Sequence, residues 1–546
     1  IRSDRGISNG VNDGSINIIS DDLVLIAENG AIGDADKALT LAIKDGSLLR
    51  ALARDGIYLD QREAGTNRSG NLNIAYIHTP GNVSLQAASS IIRTNTGNAF
   101  DIICAGLNLA ATGGAIGSAA DSLKIEQADG SSLKAIAGTN IFLEELTGNM
   151  KVDLISAGGD VNLRTPGSIL AAANDEHTAV TGNNINLTAS NGQVGEKDIV
   201  LVINSSCASP GLVEVNALGD VYIKEAAGNL NLGLIRSISK GRVFIASAGG
   251  ITNGIGAGTN VDANILKIEA VSGAGTPGNP INTSVTRVEG SGGSGGFYLD
   301  NQGGLTVGGV DTINGIQADG NIQLIAHSPI TIAEDLVAGG DINITAGSSA
   351  GLDDLVIARD RKVQAGGLIS LTAGDSILIN PNALVKAGTT VDAQASGDLI
   401  LTTATVDGGG TVSLKGVSIP ITANSLIKAG GAMSIDASGY LKLLNSSIDG
   451  GNSVDINSAT YVTIAQGIVD GVGDITIKAS SGELKVTNAT VRSDDNIDAQ
   501  ASGDVNINNA AFNSGKCTTI QGGRNFNLIT GIVDAGDSVD IKAADN

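Results

Sequence analysis

The chain reads Ile369-Ser370-Leu371 and, 22 residues later, Val391-Asp392-Ala393, and this apolar–polar–apolar triplet returns every 21 or 22 residues as far as Val539-Asp540-Ile541. The first positions of the nine copies are Ile369, Val391, Val412, Met433, Val454, Ile475, Ile497, Thr518 and Val539. The middle positions are Ser370, Asp392, Ser413, Ser434, Asp455, Thr476, Asp498, Thr519 and Asp540. Such alternation predicts a strand with one buried face, and its fixed period predicts a repeat architecture.

Two further apolar columns share the same period, so each repeat contains three short strands. The second strand runs through Ile377, Leu399, Leu441, Val462, Leu484, Val505 and Phe526, and the third through Val385, Val406, Ile427, Ile448, Val469, Val491, Phe512 and Val533. Gly, Asn and Asp between the strands permit tight corners. No segment has a helical period, and a coil that travels once round an axis supplies the crossover that parallel strands need. The predicted fold is all-β: a parallel β-helix, or β-solenoid, with about 21 residues per coil.

The first 300 residues carry a longer repeat. Ile57-Tyr58-Leu59-Asp60 returns as Ile141-Phe142-Leu143-Glu144, Val221-Tyr222-Ile223-Lys224 and Phe297-Tyr298-Leu299-Asp300, at spacings of 84, 80 and 76 residues. We interpret each spacing as about four coils, and we expect the four matched aromatic residues to pack in an internal or edge stack; the alternative is a role in sugar binding.

A second repeated signature is Gly30-Ala31-Ile32-Gly33, which returns as Gly114–Gly117 and Gly192–Gly195 and in a degraded form at Gly273–Thr276. These patterns predict an irregular β-helix over residues 1–345, built on the 76–84-residue repeat, and a regular one over residues 346–546 with 21–22-residue coils. The two form one continuous solenoid, expected to be a segment of a longer chain. The run Gly290–Gly296 is interpreted as a loop on this solenoid.

The composition limits the class of partner. The net charge of −23 argues against nucleic acid and against anionic lipid, because both require clustered Lys and Arg. Twelve Phe and Tyr residues and no Trp are few for a large globular core, so Val, Ile, Leu and Ala must fill a narrow interior. Cys104, Cys207 and Cys517 have no metal-type spacing. No run is long enough to span a membrane.

Around the long repeat, and above all at Gly219–Gly233, the chain resembles the filamentous haemagglutinin-like large exoproteins. This resemblance implies a right-handed β-helix on a bacterial cell surface, exported through a partner outer-membrane pore and acting as an adhesin, a surface filament or a rod that presents an effector. Asn380-Pro381-Asn382 is similar to an element of the family's secretion domain, but it lies in mid-chain at a predicted turn and is interpreted as a corner.

No residue set in the sequence indicates catalysis. Asp392, Asp455, Asp498 and Asp540 share an outward column, but Ser and Thr separate them, which is typical of a solvated face. His78, His177 and His327 lie far apart and are predicted to be surface or corner residues instead of metal ligands. The turn Asp470–Asp474 offers carboxylates for weak surface calcium binding, without the nonapeptide of calcium-dependent solenoids.

We therefore predict a non-catalytic, extracellular rod of a surface filament or adhesin, with no catalytic, cofactor or metal site and no inserted membrane segment. Its expected partners are further repeats or neighbouring copies end to end, and a host or cell-surface glycan or protein. The alternative is a polysaccharide-binding or polysaccharide-cleaving β-helix that acts at the Gly-rich excursions of the first half.

Overall fold

A computed structural model describes residues 1–10, 13–94, 97, 99–206, 211–311, 314–347, 349 and 351–544. Throughout these residues the secondary structure is β, without a helix, and the predicted parallel β-solenoid is confirmed, with stacked coils about 22 residues apart. The chain divides into two compact units, an N-terminal unit of Ile1–Ala270 and a C-terminal unit of Val271–Asn546.

The described strands of the N-terminal unit form two parallel sheets, here called N1 and N2. Sheet N1 contains Arg2–Ser3, Leu23–Ala27, Leu49–Ala53, Leu72–His78, Ile91–Arg93, Ile102–Cys104, Leu123–Gln127, Ile141–Glu145, Val161–Thr165, Ile185–Ala189, Leu212–Ala217, Leu230–Ser237, Gly250–Asn253 and Val261–Asp262. Sheet N2 contains Ile18–Ser20, Leu39–Ile43, Gly56–Gln61, Asn82–Ala87, Leu107–Ala111, Leu133–Ala137, Met150–Ala157, Ile169–Ala171, Val180–Thr181, Leu201–Asn204, Val221–Glu225, Arg242–Ser247 and Ile265–Ala270.

Most coils of the N-terminal unit therefore have two strands, and a third is present only where a long strand pairs with two short ones. Met150–Ala157 pairs with Ile169–Ala171 through its first half and with Val180–Thr181 through its second half. The residues between the two short strands, 172–179, leave the sheet as an excursion. Two other long strands, Leu72–His78 and Leu230–Ser237, are split in the same way.

The C-terminal unit begins with two strands per coil and continues with three. Its first sheet, C1, contains Gly273–Ala274, Ile281–Ser284, Phe297–Asn301, Ile322–Ala326, Ile342–Ala346, Ile369–Ala373, Val391–Ala395, Val412–Gly416, Met433–Ala437, Val454–Ser458, Ile475–Ala479, Ile497–Ala501, Cys517–Gly522 and Ser538–Ala543. The strand Arg287–Gly292 pairs with both Leu305–Val307 and Ile316–Ala318, and each of these two starts a column of its own.

Column C2 continues through Ile330–Ile332, Leu355–Ile357, Ile377–Ile379, Leu399–Thr402, Ile419–Thr422, Leu441–Leu444, Val462–Ala465, Leu484–Thr487, Val505–Asn508 and Phe526–Ile529. Column C3 continues through Leu336–Ala338, Lys362–Ala365, Leu384–Ala387, Thr405–Gly408, Leu426–Ala429, Ser447–Gly450, Ile468–Gly471, Thr490–Ser493, Ala511–Ser514 and Ile532–Ala535. The three strands per coil that the sequence predicts are therefore present in this part of the C-terminal unit. In the N-terminal unit they are present only where one long strand pairs with two short ones.

The ladder that starts at Ile369 is observed in register over its nine coils. Ile369 pairs with Val391, and each first position pairs with the next as far as Thr518 and Val539. The first positions are buried, apart from Val539 in the last of these coils. Thr518, the one polar member, is buried beside Ser514, with 2.8 Å between the two hydroxyl oxygens. The Thr518 hydroxyl therefore has a hydrogen-bond partner inside the coil.

A column of left-handed residues forms the corner after C2. Its members with positive φ are Asp360, Asn382, Thr403, Ala423, Asn424, Asn445, Gln466, Asn488, Asn509 and Thr530. Asn is the side chain that best tolerates this backbone region. The amides also bond from coil to coil: Nδ2 of Asn445 donates to Oδ1 of Asn424, and Nδ2 of Asn509 to Oδ1 of Asn488, both at 2.8 Å. The interpretation of Asn380-Pro381-Asn382 as a corner is confirmed.

The four matched aromatic residues do not form the predicted stack. Tyr58 and Tyr222 lie on sheet N2 and Phe142 lies on sheet N1, because seven strand positions, or three and a half coils, separate successive copies. The estimate of four coils was too high because the N-terminal coils are longer than 21 residues, for example 26 between Leu107 and its partner Leu133. Tyr298, in the C-terminal unit, pairs with Gln323.

The last glycine of each glycine signature packs against the backbone carbonyl of an aromatic residue of the other signature. Gly33 has a φ of 68°, and a Cβ on it would lie 2.3 Å from the carbonyl oxygen of Tyr58. Gly275 has a φ of 65°, and its Cβ would lie 2.7 Å from the carbonyl oxygen of Tyr298. The copy that looks degraded in sequence therefore keeps the glycine that this close approach requires.

The glycine run near 290 contributes more to the sheet than predicted. Gly290 and Gly292 belong to the strand Arg287–Gly292, and only Gly293–Gly296 form the turn before Phe297–Asn301. Glycine fits here because a Cβ on Gly293 would lie 1.9 Å from the carbonyl oxygen of Val271.

Candidate functional site

A groove of the N-terminal unit lies beside the excursion 172–179, on the outer face of sheet N2. Its volume is about 800 Å³. The run Ala171-Ala172-Ala173 lines it with small side chains, and Val200 and Val202 add an apolar wall. The polar side chains that line it are Lys134, Asp153, Asn174, Asp175, Glu176, His177, Thr178, Thr181, Asp198 and Lys224. We call this the excursion groove.

Two lysines in the excursion groove are neutralised by nearby carboxylates. Nζ of Lys134 lies 3.2 Å from Oδ2 of Asp153, and Nζ of Lys224 lies 3.9 Å from Oε2 of Glu176. Lys134 faces the groove where the register between Leu133–Ala137 and Met150–Ala157 shifts by one residue. A shift of this kind re-aims the side chains that follow it.

His177 and Asp175 form a third pair on the excursion itself. Nδ1 of His177 lies 3.1 Å from Oδ2 of Asp175, and the His177 N–H donates to Oδ1 of the same residue at 3.2 Å. This N–H lowers the pKa of Asp175, so that carboxyl stays ionised in neutral solution. With Asp198 the excursion groove has four carboxylates against two lysines and one histidine, and it remains slightly acidic.

A second, shallower groove of about 610 Å³ continues along the same face. Tyr58, Ser84, Asn108 and Lys134 are register partners on four successive strands of sheet N2, and all four line it. The ring of Tyr58 lies over Gly56, where a Cβ would meet Cε2 at 2.9 Å. Lys134 lines both grooves, so the polar surface continues from Tyr58 to the excursion.

The outward aspartates of the C-terminal unit do not converge on one site. Asp392 and Asp498 accept hydrogen bonds from Gln394 and Gln500, two residues further along the same strands. Asp540 has Lys542 as its ion-pair partner in the same way. Asp392, Asp498 and Asp540 thus each have a local partner on their own strand.

The carboxylates of the proposed calcium turn have partners on the next coil. Asp470 receives a bidentate pair from Arg492, at 2.9 and 2.7 Å, and Asp474 accepts from the Asn496 side chain at 2.8 Å. Within the described part of the chain, no group of three or more His, Cys, Asp or Glu side chains is placed to hold a metal ion. Weak calcium binding at this turn stays a prediction.

The histidines are less isolated than the sequence suggested. His78 stacks on Tyr76 with ring centroids 6.2 Å apart, and Nε2 of His327 lies 2.9 Å from Oδ1 of Asp300. Of the cysteines, Cys104 is buried, burial raises its thiol pKa to about 12, and Cys517 is half-buried. Cys207 lies outside the described residues.

The class that the fold defines is a parallel β-solenoid protein whose N-terminal unit carries an open polar groove. No family model, no curated protein and no solved structure matches the chain. None of the described residues forms a helix long and apolar enough to cross a membrane.

Proposed function

We propose that this chain is a non-catalytic structural scaffold, a right-handed segment of an extracellular filament or adhesin on a bacterial surface. The observation that supports this most is the ladder of nine coils in unbroken register from Ile369 to Val539. From Ile369 to Thr518 the first position of every triplet is buried, and the outward Asp392, Asp498 and Asp540 each have a partner on the same strand. Stacked coils joined by backbone hydrogen bonds resist local unfolding and suit a load-bearing role.

End-to-end contact is part of this proposal. Leu528, Ile529, Ile532, Val539 and Ile541 on the last described coils are exposed. A neighbouring copy that packs on this surface would cover these side chains, because exposed apolar side chains on adjacent strands favour association. A host or cell-surface glycan or protein would then bind elsewhere on the assembly.

A coil-deletion experiment tests the scaffold role. Removing residues 412–432 deletes one complete coil and places Met433 on Val391, so we expect the protein to fold with nearly unchanged stability per coil. Removing residues 412–422 deletes half a coil and turns polar faces inward, so this matched control should not fold past that point. Unfolding is measured by circular dichroism and hydrogen exchange. Loss of a polysaccharide-cleaving activity on removal of the single coil would contradict a scaffold role for this region.

A second candidate function, polysaccharide binding, is favoured by the two connected grooves on sheet N2. Paired carboxylate and ammonium groups offer acceptors and donors side by side, which suits hydroxyl groups. The half-buried ring of Tyr58 is a platform for a sugar face. Three coil steps of roughly 4.8 Å separate Tyr58 from Lys134, so the surface spans several sugars of an extended chain. The excess of carboxylates repels acidic glycans, so we propose a neutral polysaccharide.

Calorimetric titration with a linear neutral oligosaccharide of about six sugars tests this candidate. Tyr58→Ala and Lys134→Ala should each weaken binding by about ten-fold, which corresponds to about 1.4 kcal/mol. Phe142→Ala and Lys124→Ala are the matched controls, because Phe142 and Lys124 are an aromatic residue and a lysine that lie on sheet N1, away from the grooves. These two substitutions should change binding less than about two-fold. Equal losses in both pairs, or tighter binding of polygalacturonate, would contradict the proposed site. Turnover by the unmodified protein would favour a polysaccharide-cleaving activity.

A further inference from the structure

The residue directly after each aromatic tetrapeptide is buried and bonds to the coil before it. These four residues are Gln61, Glu145, Glu225 and Asn301, each without exposed surface. Their partners precede them by 16 to 20 residues and are Ile43, Gln127, Ser205 and Val285. We call this the coil-joining position.

The two amide copies satisfy both of their polar atoms. Oε1 of Gln61 accepts the Ile43 N–H and Nε2 donates to the Ile43 carbonyl oxygen, both at 3.1 Å. Asn301 accepts the Val285 N–H at 3.0 Å and donates to its carbonyl oxygen at 3.1 Å. A buried polar group needs such partners because water cannot replace them.

The two acidic copies differ in how their second oxygen is satisfied. Glu225 accepts the Ser205 N–H at 3.0 Å on Oε1 and the Ser205 hydroxyl at 2.7 Å on Oε2. Glu145 accepts the Gln127 N–H at 3.2 Å on Oε1, but its buried Oε2 has no donor. Glu126 directly follows Ile125, the register partner of Glu145 on the neighbouring strand, and its own buried Oε2 also lacks a donor.

We propose that Glu126 and Glu145 share one proton in neutral solution, so that an O–H of one carboxyl donates to the carboxylate of the other. The pair then carries one negative charge, and both orphan oxygens are satisfied by a single hydrogen bond. The proton supplies the hydrogen-bond donor that the Glu145 carboxyl otherwise lacks. The side-chain amide has this role at Gln61 and Asn301, and the Ser205 hydroxyl has it at Glu225. Loss of this proton sets the buried Glu145 carboxylate against the half-buried Glu126 carboxylate, with no donor between them.

The groups that face Glu145 support this assignment. On the strand Leu123–Gln127 they are Glu126 and Gln127, and on Ile102–Cys104 the titratable group is Cys104, whose thiol stays neutral. Burial, and then the Glu126 carboxyl, raise the pKa of Glu145 from 4.5 to about 8, against the N–H groups of Gln127 and Thr147. The hydroxyl of Thr147 donates to Oε1 of Glu126 and holds that carboxyl in place.

The consequence is that the free energy of unfolding is lower in alkaline than in acidic solution. Because the folded pKa of Glu145 lies above its unfolded value, the folded state binds the extra proton. The contribution of this proton to stability is therefore full below pH 4.5, falls as the pH rises, and is lost above about pH 8. The Gln127 side chain donates to the Ser132 carbonyl oxygen at 3.2 Å, and Ser132 lines the shallower groove. A loss of stability at Glu145 would therefore extend to the edge of that groove. The shared proton itself does not depend on any ligand of the groove.

Glu145→Gln in the full chain tests the shared proton. The amide should keep the Gln127 bond, donate to Glu126, and raise the melting temperature at pH 9 by about 5 °C, with little change at pH 5. Glu144→Gln, the half-buried neighbour on the same strand, is the matched control and should leave both values unchanged. An alkaline loss of stability that persists in Glu145→Gln overturns the proposal.

Carbon-13 NMR titration of glutamate carboxyl groups in the unmodified protein gives an independent readout, should Glu145→Gln not fold. We expect one resonance, lost in Glu145→Ala, to titrate near pH 8. If every glutamate carboxyl titrates near pH 4.5, the carboxyl pair does not share a proton and the proposal fails.

Discussion

Arg93→Met is expected to lower the free energy of unfolding of the N-terminal unit by about 3 to 5 kcal/mol at pH 8. Asp101 has no exposed surface, and Nε of Arg93 donates to its Oδ2 at 2.9 Å. The only other donor to this carboxylate in the described structure is the Lys124 N–H, at 2.8 Å, while Oδ1 has no partner. Removal of Arg93 therefore leaves a buried charge without a counter-ion.

The pH dependence of Arg93→Met distinguishes this cause from a general packing defect. Burial already raises the pKa of Asp101 from its usual value, and Arg93 opposes that shift. Without Arg93 the pKa rises further, so protonation relieves the buried charge at low pH. The loss of stability should therefore be largest at pH 8 and shrink towards pH 5. Urea unfolding followed by circular dichroism at both pH values measures this.

Arg62→Met is the matched control for Arg93→Met. Nε of Arg62 lies 2.7 Å from Oδ2 of Asp60, but the arginine side chain is about half exposed, at 51%. Water and salt screen an exposed pair, so its removal should cost less than about 1 kcal/mol. Asp101→Asn added to Arg93→Met should recover a large part of the lost stability. Equal losses at Arg62 and Arg93, or no recovery, would show that the buried charge is not the cause.

The regular part of the fold could be predicted from the sequence because each of its interactions repeats at a fixed distance along the chain. The ladder from Ile369 to Val539 needed only local alternation and a period. One member of the second column, Ile419, was missed because Pro420 follows it and resembles a turn signal. The structure places Ile419–Thr422 in the column, where Ile419 is buried and pairs with Leu441. Such a proline is compatible with a strand position that donates no ladder hydrogen bond.

The candidate site could not be predicted, because no period connects its residues. Lys134, Asp153, Asp175 and Lys224 come together only because Met150–Ala157 splits and the excursion 172–179 folds back over sheet N2. The sequence placed the alternative function at Gly-rich excursions, whereas the excursion groove is lined by the run Ala171-Ala172-Ala173 and by charged side chains. The coil-joining position was visible, since Gln61 and its equivalents directly follow the repeated tetrapeptides, but buried polar residues do not look like core residues in a hydrophobicity pattern.

Phe512→Ala should produce the largest loss of stability in the C-terminal unit, about 3 to 5 kcal/mol. Phe512 is fully buried in column C3, where its register partners are Val491 and Val533. The neighbouring coils are held at the spacing of their backbone hydrogen bonds, so they cannot move together to fill the space that the ring leaves. Phe512→Leu keeps most of the volume and should cost about 1 kcal/mol.

The location of the lost stability along the chain of Phe512→Ala tests whether each coil is stabilised mainly by its two neighbours. Each coil of a solenoid is stabilised by its two neighbours, so Phe512→Ala should raise hydrogen exchange in Thr490–Ser493 and Ile532–Ala535 before more distant coils. Phe526→Ala is the matched control: this ring is only half-buried in the strand Phe526–Ile529, and its removal should cost less than half as much. If both substitutions have equal effects, or if exchange rises equally in every coil, the C-terminal unit unfolds as one block and its stability is not a sum over neighbouring coils.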